Sequence, residues 1–190
     1  MKKSIIITIA VILVVVIAVI SVFSSNYNKF VTMEESVQNA QSDISIYLQR
    51  RADLIPNFVK TVKAYSLHEQ ETYTAVTKAR SAVADANSVE EQSQASAQLD
   101  SAIDIWVNAV TEAYPELKAD SQYIALQDEL AGSENRIATA RNDYNKVAQE
   151  YNTAIRKFPA NILAGMFGFE KAEYFEADAD ANDAPIVDFS

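Results

Sequence analysis

From Ile5 to Phe23 the chain runs 19 residues with only Thr8 and Ser21 interrupting the apolar side chains. No water-soluble surface accommodates such a run. As a helix rising about 1.5 Å per residue it covers roughly 28 Å, close to the ~30 Å hydrocarbon core of a bilayer. The segment reads as a transmembrane anchor, with Ile5 at its start, Val14 at its middle, and Val22 and Phe23 at its end. The competing reading is a cleaved signal peptide, because Val22 and Ser24 could stand three and one residues before a cut. Secretory apolar regions are usually about 7–15 residues, shorter than this one. Lys2 and Lys3 precede the span, whereas Lys29 is the only base among the first 25 residues after it. By the positive-inside rule the chain is expected to cross the cell (inner, cytoplasmic) membrane once, with its N-terminus cytoplasmic and the remainder extracytoplasmic.

That remainder has helical composition. Three Gly and four Pro in 190 residues leave few of the turns that join strands. Apolar and aromatic residues recur at alternating spacings of three and four from Val37 through Ile44, Tyr47, Ile55, Phe58, Val62, Tyr65, Tyr73 and Val76 to Val83, the pattern of an amphipathic helix. Two charges, Arg51 and Glu69, fall on that stripe; such residues more often pair with a neighbouring helix than form a site. Pro56 lacks a backbone donor and crowds the turn before it, so the helix either kinks there or ends near Arg51 and restarts with Asp53 as its cap. Ser88 and Glu91 form a capping box that opens a second stripe, Ala95, Leu99, Ala102, Trp106, Ala109 and Ala113, which Tyr114-Pro115 stops. A third stripe starts near Asp120 and keeps phase across Gly132 to Phe158, with Tyr144-Asn145 and Tyr151-Asn152 seven residues apart, a coiled-coil-like echo. With a break at Pro56 the segments make an elongated up-and-down four-helix bundle; without it, a helix of roughly 60 residues pairs with the others as an extended hairpin. The break is the preferred reading. The fold class is therefore all-α: an N-terminal transmembrane helix followed by a helical bundle. Its divisions are a cytoplasmic stub and anchor (1–24), the bundle (25–159), a short apolar segment (160–169) and an acidic tail (170–190).

The short segment concentrates Ile162, Leu163, Met166, Phe167 and Phe169. In either topology the last long helix returns towards the membrane, so these five are candidate membrane-contact residues; capping the open end of the bundle core is the alternative. The tail after residue 169 holds seven acids and one lysine, and net charge is −10 overall. A surface of that sign repels nucleic acid, and no basic stripe with interleaved aromatics runs along the chain.

Sites of chemistry are scarce. There is no Cys, hence no thiolate ligand or thiol nucleophile. The one histidine, His68, stands in His68-Glu69-Gln70-Glu71-Thr72, where a zincin helix would need a second His in place of Thr72. Asp178, Asp180 and Asn182 imitate the start of a calcium loop, but Asp183 replaces its glycine and Phe189 its closing glutamate. No phosphate loop and no nucleophile elbow are present. The expectation is no catalytic, cofactor-binding or metal residue, and no cofactor.

Several stretches together resemble the LemA family: Gln49-Arg50-Arg51-Ala52-Asp53-Leu54-Ile55-Pro56-Asn57, Val62-Lys63-Ala64-Tyr65 with His68-Glu69, Tyr114-Pro115-Glu116-Leu117-Lys118, and Glu134-Asn135-Arg136-Ile137-Ala138 with Ala140-Arg141. Tyr144-Asn145, Tyr151-Asn152, Phe158-Pro159, Tyr174-Phe175-Glu176 and Pro185-Ile186-Val187-Asp188-Phe189 extend the match, in order, from about Tyr27 to the end. Phe58, where the family more often has Leu, and Gly132-Ser133 depart from the pattern. The resemblance implies a bacterial cell-envelope protein with an N-terminal anchor and a four-helix bundle, and brings no catalytic residue. The expected function is a noncatalytic envelope scaffold that binds a protein partner or further copies of itself. A lipid-binding or membrane-remodelling, stress-related protein is the alternative, and an enzyme a third class. The expected partners are the lipid bilayer and a homo-oligomer or an unidentified envelope protein, with no nucleic acid.

Overall fold

The computed structural model describes residues 2–63 and 70–176. Tyr65, His68, Glu69 and the Asp178-Asp180-Asn182 stretch lie outside the described residues. All regular structure among the described residues is helical: α1 (Lys2–Lys63), α2 (Gln70–Asp85), α3 (Val89–Ala113), a 3-10 turn (Pro115–Ala119), α4 (Ser121–Arg156) and α5 (Ala160–Phe167). Two compact units divide the chain. One takes Gln41–Asp143 with the described residues from Tyr174 on; the other takes Tyr144–Glu173 with the described residues up to Ala40.

The first unit is an up-and-down four-helix bundle. Helix α2 runs back along α1, as Gln41 Nε2 donates to the Asn87 carbonyl at 3.3 Å and Arg80 Nε to the Ala52 carbonyl at 3.0 Å. Helix α3 rises parallel to α1: Gln92 Nε2 donates to Ser45 Oγ at 2.8 Å, and Trp106 meets Phe58 edge-on with ring centroids 5.1 Å apart. Helix α4 descends, bringing Tyr123 to 5.3 Å from Phe58 and Glu129 to 3.2 Å from Arg50. Ile44, Leu48, Ile55, Leu99, Ile137 and these aromatics are almost wholly buried, the largest apolar contribution to holding the bundle together.

The preferred break at Pro56 is not what the structure shows. Helix α1 continues through Pro56 to Lys63. A proline at position 56 cannot donate to the carbonyl four residues earlier, that of Ala52. Arg80 of α2 donates to that carbonyl instead and lies 3.6 Å from the carboxylate of Asp53. A partner from another helix thus satisfies the acceptor that Pro56 leaves, and Ile55, Phe58 and Val59 stay buried on the same unbroken helix. The four-helix arrangement stands, with α1 ending after Lys63.

The capping box forms as the spacing predicts. Ser88 Oγ accepts from Glu91 N at 3.1 Å, while Glu91 Oε2 accepts from the backbone N–H groups of Ser88 and Asn87 at 3.1 and 2.9 Å. Those backbone donors hold the Glu91 carboxyl below its ordinary range. Asp120 caps α4 in turn, its Oδ1 accepting from Gln122 N and Tyr123 N.

In the second unit Tyr144–Arg156 of α4 packs with α1, burying Phe30, Val37, Ala148 and Ile155. Gly168 takes the left-handed conformation, φ +76, that ends α5 and turns the chain back. The following residues are not a loose end: the Asn152 side chain donates to the Ala172 carbonyl at 2.9 Å and accepts from Ala172 N at 2.8 Å, and the Tyr144 hydroxyl donates to the Glu173 carbonyl.

Candidate functional site

Two features depart from an ordinary globular protein, one in each unit. In the bundle, Arg51 is 7% exposed at its side chain and its Nη1 contacts both Glu134, which accepts a hydrogen bond, and Asp100. One guanidinium from α1 therefore ties together α3 and α4. Burial pushes the Asp100 carboxyl from its ordinary 3.8 up to about 6; Arg51 pulls the other way, Glu134 adds to the rise and Arg141 opposes it. Beside this group an open cleft of about 620 Å³ is lined by Asp104, Gln127, Asp128, Ile103, Val107 and Leu130. Among the described residues no three His, Asp or Glu side chains come together as a metal site would require. The arrangement joins three helices through one buried cation and its two carboxylates.

The second feature is apolar and exposed. The side chains of the N-terminal span, Val14, Val22 and Phe23 among them, stand open on α1, a helix long and apolar enough to cross a membrane. Ile5 lies on the same helix, outside the residues whose side chains are described. Directly after the span, α5 comes against α1: Phe167 and Phe169 meet Tyr27 at centroid distances of 5.0 and 5.7 Å, and Phe169 meets Phe30 at 5.3 Å.

This contact divides the five candidate membrane-contact residues. Leu163 is 5% exposed and, with Ala164, faces the protein interior, which corrects its expected outward placement. An eight-residue helix laid on α1 must turn one side inward, and Leu163 falls on that side. Phe169 is largely covered by Tyr27 and Phe30. Ile162, Met166 and Phe167 remain exposed, at 54, 67 and 49%. Sequence reasoning missed two members of this flank, Phe158 at 82% and Tyr27 at 41% exposed. Phe158 lies in the turn between α4 and α5, so helical spacing from Ile162 and Met166 does not reach it. The sequence marks Asn152 only as part of the Tyr151-Asn152 echo; its hold on Ala172, 20 positions on, was missed.

A family model described as LemA family matches residues 40–189. The chain belongs to the LemA family. It is 31% identical to the magnetosome proteins MamQ 1 and MamQ 2 of Paramagnetospirillum magneticum, over 90% of this chain and 71% of each relative. Protein LemA of Metamycoplasma hominis is 26% identical, over 82% of this chain and 71% of the relative. In this LemA-family chain several residues of the stretches that carry the resemblance make contacts described above: Arg51 with Glu134, Ala52 with Arg80, and Tyr144 and Asn152 on the returning segment.

Proposed function

We propose that this LemA-family protein is a noncatalytic scaffold of the bacterial cell envelope. Residues 5–23 hold it in the cytoplasmic membrane as a single pass with the N-terminus inside, and α5 seats it on the outer face of the bilayer. The bundle then presents its helical surface to further copies of the chain or to a protein partner. The observation that carries this reading is the exposed flank of Phe158, Ile162, Met166 and Phe167, placed by Tyr27 immediately beyond the span. So much apolar surface in so few residues is stable in water only at a cost; at the headgroup–acyl boundary it is buried. Relatives whose names carry the magnetosome and no reaction support a structural role. The same flank supports a second reading, a protein that senses or shapes the bilayer.

The test uses full-length protein with Met166→Cys carrying an environment-sensitive dye, reconstituted into nanodiscs whose lipids bear a quencher near the headgroup. Strong quenching is expected, and Phe167→Asp should relieve it with little change in melting temperature. An unquenched dye, with a large stability loss in Phe167→Asp, would make the segment a core cap. Curvature-dependent quenching in vesicles of different size would favour the bilayer-shaping reading over the scaffold.

A further inference from the structure

Charge in the membrane-proximal unit is sorted by height. Tyr151 of α4 lies beside Glu34 of α1; with burial the main cause, Glu34 and then Glu170 help push its phenol up to about 12. The two helices run antiparallel, so a pairing of 34 with 151 sets 29 opposite 156, where α4 ends, and Lys157 and Phe158 follow it directly in the chain. Tyr27, Lys29, Arg156, Lys157 and Phe158 therefore share one level, about 6–9 Å along the axis beyond Phe23. All five are exposed. No acid occurs in residues 24–33 or 151–169, so this level carries three bases unopposed in a chain of net charge −10. The nearest acids on α1, Glu34 and Glu35, sit about 17 Å beyond Phe23, and Glu170, which directly follows Phe169, acts on Tyr151.

We propose that this ring of Lys29, Arg156 and Lys157 around the apolar flank is a docking surface for anionic phospholipid headgroups. The inference rests on the seating of α5 at the bilayer and adds the class of lipid that it selects. An apolar flank inserts among acyl chains whatever the headgroup; three bases placed at headgroup height, with the acids of α1 held a further turn or more above, distinguish an anionic surface from a neutral one. Long basic side chains at that height reach the phosphates while their stems cover apolar surface. The acidic remainder of the chain is repelled by the same lipids, so attraction is confined to this end.

The experiment reconstitutes full-length Met166→Cys, dye-labelled, in nanodiscs of phosphatidylcholine alone and of phosphatidylcholine with phosphatidylglycerol, both containing quencher lipid. Each base near an anionic surface contributes on the order of a five-fold preference, so Arg156→Gln with Lys157→Gln should lower the docked-to-undocked ratio on the anionic membrane by about 25-fold and hardly change it on the neutral one. Lys29→Gln, on a different helix, should lower it about five-fold. Raising ionic strength on the unsubstituted bases should erase the difference between the two membranes. Equal quenching in both, indifferent to salt, overturns the headgroup preference and leaves the seating intact. An anionic preference that survives the double variant overturns the assignment to these bases. No quenching in either membrane removes the seating itself, and this inference with it.

Discussion

The bundle buries charge, whereas the unit beside the span exposes hydrocarbon. Arg51 lies almost out of contact with solvent among α1, α3 and α4, while Phe158 is 82% open. In water both arrangements are unfavourable, but for opposite reasons. A buried cation loses hydration and must recover it from carboxylates held at contact distance, here Asp100 and Glu134. An exposed phenyl ring loses only what burial would have gained, and it recovers that once the solvent around it is lipid. The bundle supplies its own partners; the second unit, on the proposed reading, would take its partner from the membrane.

The largest effect should come from breaking the first half of that contrast. Arg51→Met leaves two carboxylates crowded without their cation, one of them mostly buried, and should cost about 3–5 kcal/mol at neutral pH in urea unfolding of the detergent-solubilised protein. A loss below about 1 kcal/mol would mean that the cluster is solvated in solution and that the bundle does not depend on it.

Asp100 sharpens the same comparison through pH. Its folded value, about 6, lies above the ordinary 3.8, so the folded state holds the proton more tightly than the unfolded state does. The protonated form therefore favours folding, and stability should rise as pH falls from above 6 towards 4 and decline as pH rises through 6. Asp100→Asn keeps Arg51 paired with Glu134 and removes this titration. Its stability should be flatter across that window and on the order of 1–2 kcal/mol higher at pH 7, after allowance for the part of Asp100 that solvent screens. Unchanged pH dependence in the variant would assign the effect to another group.

The smallest effect concerns Gly132, which lies inside α4. A Cβ there would meet only the Arg136 guanidinium, at an ordinary 3.5 Å. Gly132→Ala should raise stability by about 0.5–1 kcal/mol through the chain entropy it removes, a shift readable in the melting temperature. A loss of stability would show that Arg136, which also meets Glu129, cannot give way.

What the sequence disclosed was local. The span is a composition signal, the Ser88–Glu91 box a four-residue motif, and the stripes from Val37 to Phe158 a periodicity; each is complete within its own segment. What it withheld depended on partners far along the chain. Pro56 reads as a break because the donor that replaces its missing hydrogen bond, Arg80, is 28 positions beyond the carbonyl it serves. Arg51 on an apolar stripe suggests a neighbouring partner, but Asp100 and Glu134 cannot be picked from the many acids of α3 and α4 without the register of the bundle. The outward side of α5 was half legible: the concentration of apolar residues marks the segment, while Leu163 and Ile162, adjacent and chemically alike, separate only once α5 is laid against Tyr27 and Phe30.

Two isoleucines of nearly equal exposure allow the central claim to be measured. Ile105 on the bundle is 60% open and Ile162 on α5 is 54% open, and the chain has no native cysteine to interfere. Ile105→Cys and Ile162→Cys, each alone in the full-length protein, are treated with a charged, membrane-impermeant maleimide in intact cells freed of any outer barrier. If α5 is seated in the bilayer on the extracytoplasmic side, the cysteine at 105 reacts at the rate of a solvent-exposed thiol, and the one at 162 reacts at least about ten-fold more slowly, because the reagent and the thiolate are both disfavoured in lipid. Equal rates at the two positions would place the flank of α5 in water and contradict the account.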